Sequence, residues 1–113
     1  MDKATLLNRT AADLPEDDVE IPDLGTVRVR ALSRAEALKL ENAGSAAMRE
    51  AQILSWGMVD PVMTVAEVNH WLATSPAGEA QDVSTRIAEL SGMLEDSAKA
   101  AYKSDGDGTG AGV

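Results

Sequence analysis

The sequence predicts a mainly α fold: a small domain of about four helices, preceded by an N-terminal two-stranded β-hairpin and followed by a disordered tail. Three observations carry that prediction. Residues 19–32, Val-Glu-Ile-Pro-Asp-Leu-Gly-Thr-Val-Arg-Val-Arg-Ala-Leu, set two alternating apolar and polar runs on either side of a turn. Ser33 with Glu36, and Thr64 with Glu67, each place a hydroxyl residue three positions before a glutamate, the capping box that opens a helix. The last residues, 104–113, read Ser-Asp-Gly-Asp-Gly-Thr-Gly-Ala-Gly-Val and hold too little apolar surface to offset the entropy of ordering them.

These boundaries divide the chain into a flexible acidic arm (1–17), a hairpin (18–32), a helical domain (33–103) and a Gly/Asp tail (104–113). In the arm, Leu6, Leu7 and Leu14 stand in a polar, acidic setting, which suits a short unstable helix or a mobile segment better than a core element. In the hairpin, Val19 and Ile21 alternate with Glu20, and Val27 and Val29 alternate with Thr26, Arg28 and Arg30. Pro22 presets a turn φ, Asp23 can bond local amides, and Gly25 can take φ > 0 without a Cβ clash. Arg28 and Arg30 are placed to guard an open strand edge, or that edge is left for a partner.

The first helix is expected from Arg34 to about Asn42, with Ala35 and Leu38 inward beside Ala31 or Leu32. Gly44 suits a left-handed helix end and Ser45 the next N-cap. A second helix follows over about Ala46–Met58, where Ala47, Ala51, Leu54 and Met58 form a stripe widened by Ile53 and Trp56. Asp60-Pro61 stops it, because proline disfavours an α conformation in the preceding residue. A third helix begins after Thr64 and carries Val65, Val68, Trp71 and Leu72 on one side. Ser75 reads as an N-cap with Pro76 at the first helical position, and the last helix aligns Val83, Ile87, Leu90 and Leu94. Gly92 falls inside that stripe, which predicts a segment packed closely against its backbone.

Composition narrows the function classes. The chain has 113 residues, a net charge of −9 and no Phe, so its core must rest on Ala, Val, Leu and Met with Trp56, Trp71 and Tyr102. Scattered basic residues in an acidic chain exclude a nucleic-acid binder, which needs a basic stripe to neutralise phosphates. Residues 2–24 hold seven acids against Lys3 and Arg9, a pattern of solvated, solubilising ends. Without Cys there is no disulfide framework, thiolate nucleophile or zinc-thiolate cluster. No apolar run reaches the roughly 20 residues of a membrane span, and the N-terminus lacks a signal-peptide pattern, so a soluble intracellular protein is expected.

Catalytic and metal-binding patterns are not found. His70 is the single histidine and stands beside Trp71 on a helix, a setting for solvation or packing rather than ligation. The tail Asp-Gly-Asp-Gly superficially resembles a calcium loop but lacks the further oxygen ligands and the terminal Glu. Ser91 has no nucleophile-elbow setting, and pairs such as Asp17-Asp18 and Glu95-Asp96 sit where nothing would separate an acid from a base. Neither an enzyme nor a cofactor is expected. Protein binding remains: Met48, Met58, Met63, Met93, Trp56 and Trp71 are adaptable or large apolar groups that can line a groove for an amphipathic helix, or else form the core of a phenylalanine-free domain. Trp56, Met58, Met63 and Trp71 are the candidate partner-binding residues.

The run Ile-Pro-Asp-Leu-Gly-Thr-Val-Arg-Val-Arg-Ala-Leu-Ser-Arg-Ala-Glu, then Trp-Gly-Met-Val-Asp-Pro-Val-Met-Thr, a Trp-containing helix and a closing Glu-Leu-Ser-Gly-Met resembles the tail assembly chaperones of long-tailed bacteriophages. The resemblance covers about residues 19–94, with its signature elements at Leu32–Glu36, Asp60–Thr64 and Leu90–Gly92. It implies a non-enzymatic helical protein of the bacterial host cytoplasm that binds the tape measure protein, keeps it soluble during tail morphogenesis and is absent from the mature virion. The tail tube protein and a longer, frameshifted form of the chain are further partners in that family, and this chain resembles the shorter form. From the charge and the lack of a long apolar run, no nucleic-acid or membrane partner is expected. Two other readings compete: a structural minor tail or connector protein retained in the virion, and an acidic inhibitor that mimics nucleic acid.

Overall fold

The hairpin forms around a turn in which Asp23 takes φ +69° and Gly25 φ +142°, and the Leu24 amide donates to the Ile21 carbonyl at 3.0 Å. The computed structural model describes residues 1–93. The expected disordered tail, residues 94–103 of the helical domain and the inward place of Leu94 lie outside the described residues. Strands β1 (Glu16–Ile21) and β2 (Gly25–Arg30) pair antiparallel, with Glu16 opposite Arg30 and Ile21 opposite Gly25. Pairing begins ahead of residue 18, because the Ala31 amide also reaches the Pro15 carbonyl at 2.7 Å. Before it, the arm carries α1 (Lys3–Leu7) and a 3-10 turn (Ala11–Asp13), neither of which buries a residue.

A third strand joins the expected hairpin. β3 (Met58–Asp60) pairs with β2, Val29 opposite Met58 and Arg28 opposite Asp60, giving a sheet of order β1-β2-β3. Three residues are too few to show alternation, and Met58 also fits the preceding helical stripe, so local pattern alone extends the helix through it. Because β2 is central, Arg28 and Arg30 guard no edge. Arg28 instead bridges Glu16 at 2.9 Å and Asp18 at 3.0 Å, and Arg30 binds Glu36 through two bonds of 2.9 and 2.8 Å.

Both predicted capping boxes form. Ser33 Oγ accepts from the Glu36 amide at 3.2 Å while Glu36 accepts from the Ser33 amide at 2.9 Å, opening α2 (Arg34–Leu40). Thr64 and Glu67 repeat this at 3.2 and 2.9 Å to open α4 (Val65–Thr74). α2 stops before Asn42, and its inward face differs from the expected one: Ala35 and Leu38 are exposed, whereas Leu40 is buried with Glu36 and Ala37 half-buried. The Arg30 guanidinium holds Glu36, and with it this face of α2, against the sheet.

α3 (Ala46–Gly57) starts on the Ser45 cap, whose Oγ accepts from the Met48 amide at 3.1 Å. It buries Ala51 and Leu54 but leaves Ala47 exposed. α5 (Ala77–Leu90) buries Ala80, Val83 and Ile87. Pro76, not Ser75, holds its N-cap position, while the Ser75 hydroxyl donates to the Trp71 carbonyl at 2.7 Å and closes α4. α5 ends at Leu90, and Gly92 follows at φ +78° with open space where a Cβ would stand. The close approach expected at Gly92 occurs at Gly57 instead: a Cβ there would lie 2.5 Å from Ile87 Cδ1.

α3 packs against α4 and α5, and α5 lies on β1 and β2. The centre holds Val29, Leu40, Leu54, Val68, Val83 and Ile87, all fully buried. Arg86 fastens α5 to β1, its Nε donating to Asp17 Oδ2 at 2.7 Å. Among the described residues no helix is long and apolar enough to cross a membrane.

Candidate functional site

Where the hairpin turn, the end of α3 and the start of α4 converge, the apolar layer is left open. The groove there has a volume of about 540 Å³, within the roughly 300–1,000 Å³ range of ligand-binding clefts. The hairpin contributes Ile21 and Val27, the α3–β3 junction Met58, the following loop Pro61 and Met63, and α4 Ala66, Glu67, His70 and Trp71. Val62, between two of these lining residues, is 77% exposed.

Polar bonds of the lining residues fix the walls. Ser55 Oγ donates to the Met63 carbonyl at 2.9 Å, which ties the loop after β3 back to α3. Trp71 Nε1 donates to Glu79 Oε2 at 2.7 Å, so the indole is held between α4 and α5 with its polar edge satisfied. Glu67 is held by the Thr64 amide at 2.9 Å. The apolar faces that remain have no hydrogen-bonding demand.

A second hollow of about 420 Å³ adjoins this groove and shares Ile21 with it. Glu20, Asp23, Glu79 and Asp82 stand around it with Val19, Pro22 and Pro76. Neither hollow has a Lys or Arg among its lining residues. The nearby arginines of β2 and α5 are paired elsewhere: Arg28 with Glu16 and Asp18, Arg30 with Glu36, Arg86 with Asp17 and Glu89.

Met58, Met63 and Trp71, three of the four candidate residues, meet in the groove; Trp56 does not. Trp56 lies half-buried on α3 and packs against the core. Met48 is 40% exposed and stands apart on α3, and Met93 lines a separate hollow with Leu32 and Ser33. Sequence reasoning missed Ile21 and Val27 as groove residues, although it placed both on an inward strand face. The missing fact was that the helices cover that face only in part. His70 is exposed at the groove, and no group of three or more His, Cys, Asp or Glu side chains suited to a metal ion occurs among the described residues.

The open edge of β1 has little to offer a partner strand. Its Asp18 amide already donates to the Asp17 carboxylate at 2.8 Å, and Glu16, Asp18 and Glu20 are exposed along the strand. Fold and site together describe a small helical domain with an open apolar groove and acidic side chains beside it. Comparison of the chain with protein-family models, with curated proteins and with solved structures finds no match.

Proposed function

We propose that this chain is a tail assembly chaperone of long-tailed bacteriophages, which binds the tape measure protein and keeps it soluble in the host cytoplasm during tail morphogenesis. One observation carries the reading: Met58, Met63 and Trp71 share an open apolar groove on an otherwise acidic domain. A long helical protein presents repeated apolar faces, and a groove of methionine and indole can cover many such faces through contacts that a tube subunit later replaces. The acidic surface discourages self-association while those faces are covered.

The test is co-expression with the tape measure protein encoded nearest to this chain, scoring soluble tape measure protein and its co-purification on a tag carried by this chain. Solubilisation with co-purification is the expected result. A tape measure protein that stays insoluble and unbound, with any longer frameshift product also supplied, would refute the reading. Purified particles would then be searched for this chain at fixed stoichiometry, the mark of a minor tail or connector protein. The nucleic-acid-mimic reading is not favoured, since Arg28 sits among the acids of β1 and divides their charge.

A further inference from the structure

We infer that the occupant of the groove is an amphipathic helix that carries Lys or Arg beside its apolar face, an inference that rests on the docking reading above. The charge distribution argues for it. The groove and the adjoining hollow are joined at Ile21, and the Trp71–Glu79 bond spans them. Along that joined surface stand Glu67, Glu79, Asp82, Glu20 and Asp23, with no lysine or arginine among the lining residues of either hollow. An apolar segment flanked by cations gains Coulomb attraction there, whereas an acidic one meets like charge as it approaches.

Backbone chemistry selects a helix over a strand. The sheet element beside the groove, β3, has three residues and runs into Pro61, which has no N–H to donate. An extended peptide would therefore lack a ladder and leave its own amides unpaired against an apolar wall. A helix satisfies its backbone internally and presents side chains alone. A second copy of this chain is disfavoured as occupant, because each copy would bring the same acidic surround.

The test uses the full chain and two synthetic helical peptides of about 18 residues, five turns. Both carry leucines at i, i+3, i+4 and i+7; one has lysines flanking that stripe, the other glutamates in the same places. The lysine peptide is expected to bind at least about tenfold more tightly at low salt, with the difference shrinking near physiological ionic strength and above. Amide shifts should centre on Ile21, Met63, Ala66 and Trp71. Glu20→Lys with Asp82→Lys, both on exposed positions, should erase most of the preference, and Ala66→Arg should block the groove mouth.

Equal or tighter binding of the glutamate peptide, failure of both peptides to bind, shifts elsewhere, or self-association through these residues would overturn the inference. A chain that solubilises the tape measure protein but ignores peptide charge would refute this inference alone. A lysine peptide seated in the groove, with the tape measure protein still insoluble, would refute the chaperone reading alone.

Discussion

The Leu32 amide donates to Ser91 Oγ at 2.7 Å, across 59 residues of chain, and the same hydroxyl donates to the Ile87 carbonyl at 2.6 Å. One serine thus joins the last turn of α5 to the strand-to-helix corner before α2. Leu32 itself is buried and its amide lies outside any ladder. Ser91→Ala should leave that donor without a protein partner, costing about 1–3 kcal/mol, whereas Ser91→Thr keeps the hydroxyl and should cost less. Urea unfolding of the two variants checks this; equal stability of Ser91→Ala and the parent would show that water substitutes for the serine.

At Gly57 the end of α3 meets Ile87 of α5 with no room for a Cβ. A Cβ there would stand 2.5, 2.8 and 2.9 Å from Ile87 Cδ1, Cγ2 and Cγ1, and Ile87 is fully buried. Gly57→Ala should destabilise by about 1–3 kcal/mol despite alanine's better helix propensity. Ile87→Val removes Cδ1, so the double variant should be less destabilised than the sum of the two single changes. Additive effects in that cycle would mean that the strain is relieved by movement of the helices.

The Arg30–Glu36 pair makes stability depend on acid. The Arg30 hydrogen bonds, aided by the Ser33 amide, hold the Glu36 carboxyl down at about 2 from an ordinary value of 4.5. Its contribution is therefore complete above about pH 4.5 and is lost as pH falls toward 2. Over that window the unfolded chain binds more protons, so stability falls with acid. The loss should be on the order of 2 kcal/mol, given the pair's partial exposure. Asp17 is lowered in the same direction, first by the Asp18 amide and then by Arg86. Glu36→Gln should flatten the acid limb of a stability–pH curve; an unchanged slope would assign acid sensitivity to other carboxylates.

The two tryptophans should separate binding from stability. Both pack against the core, but Trp71 also lines the groove and Trp56 does not, so capture is compared per amount of folded variant. Trp71→Ala and Met63→Ala are expected to lower the yield of soluble tape measure protein several-fold in co-expression. Trp56→Ala should reduce the unfolding midpoint yet spare capture by whatever native protein remains. If Trp56→Ala abolished capture while the protein stayed folded, the docking surface would lie on α3 instead.

Much of the fold is legible in the sequence, and for a common reason. Pro22-Asp23-Leu24-Gly25, Ser33 with Glu36, Ser45, and Thr64 with Glu67 each act through bonds made within a few residues. The buried set Ala51, Leu54, Val68, Val83 and Ile87 is likewise readable, because helical periodicity exposes one stripe per element. The errors occur where one element decides the state of another. α2 is tied to the sheet through Arg30 and Glu36 with Leu38 exposed and Leu40 buried, and Met58 pairs with β2 instead of continuing α3.

The two glycines show the same division. Gly92 looks like a packing glycine because Ile87, Leu90 and Leu94 continue the stripe around it, yet it takes φ +78° just past the end of α5; Gly57 carries no such signal, yet Ile87 closes over it. The hairpin, the helix starts and the acidic balance can be read from the sequence, since each follows from local bonding, periodicity or composition. The third strand, the inward face of α2, the close packing at Gly57 and the joining of Ile21, Met63 and Trp71 into one open surface arise in the packed fold. Those depend on how elements dozens of residues apart come to rest against one another, which no short-range pattern encodes.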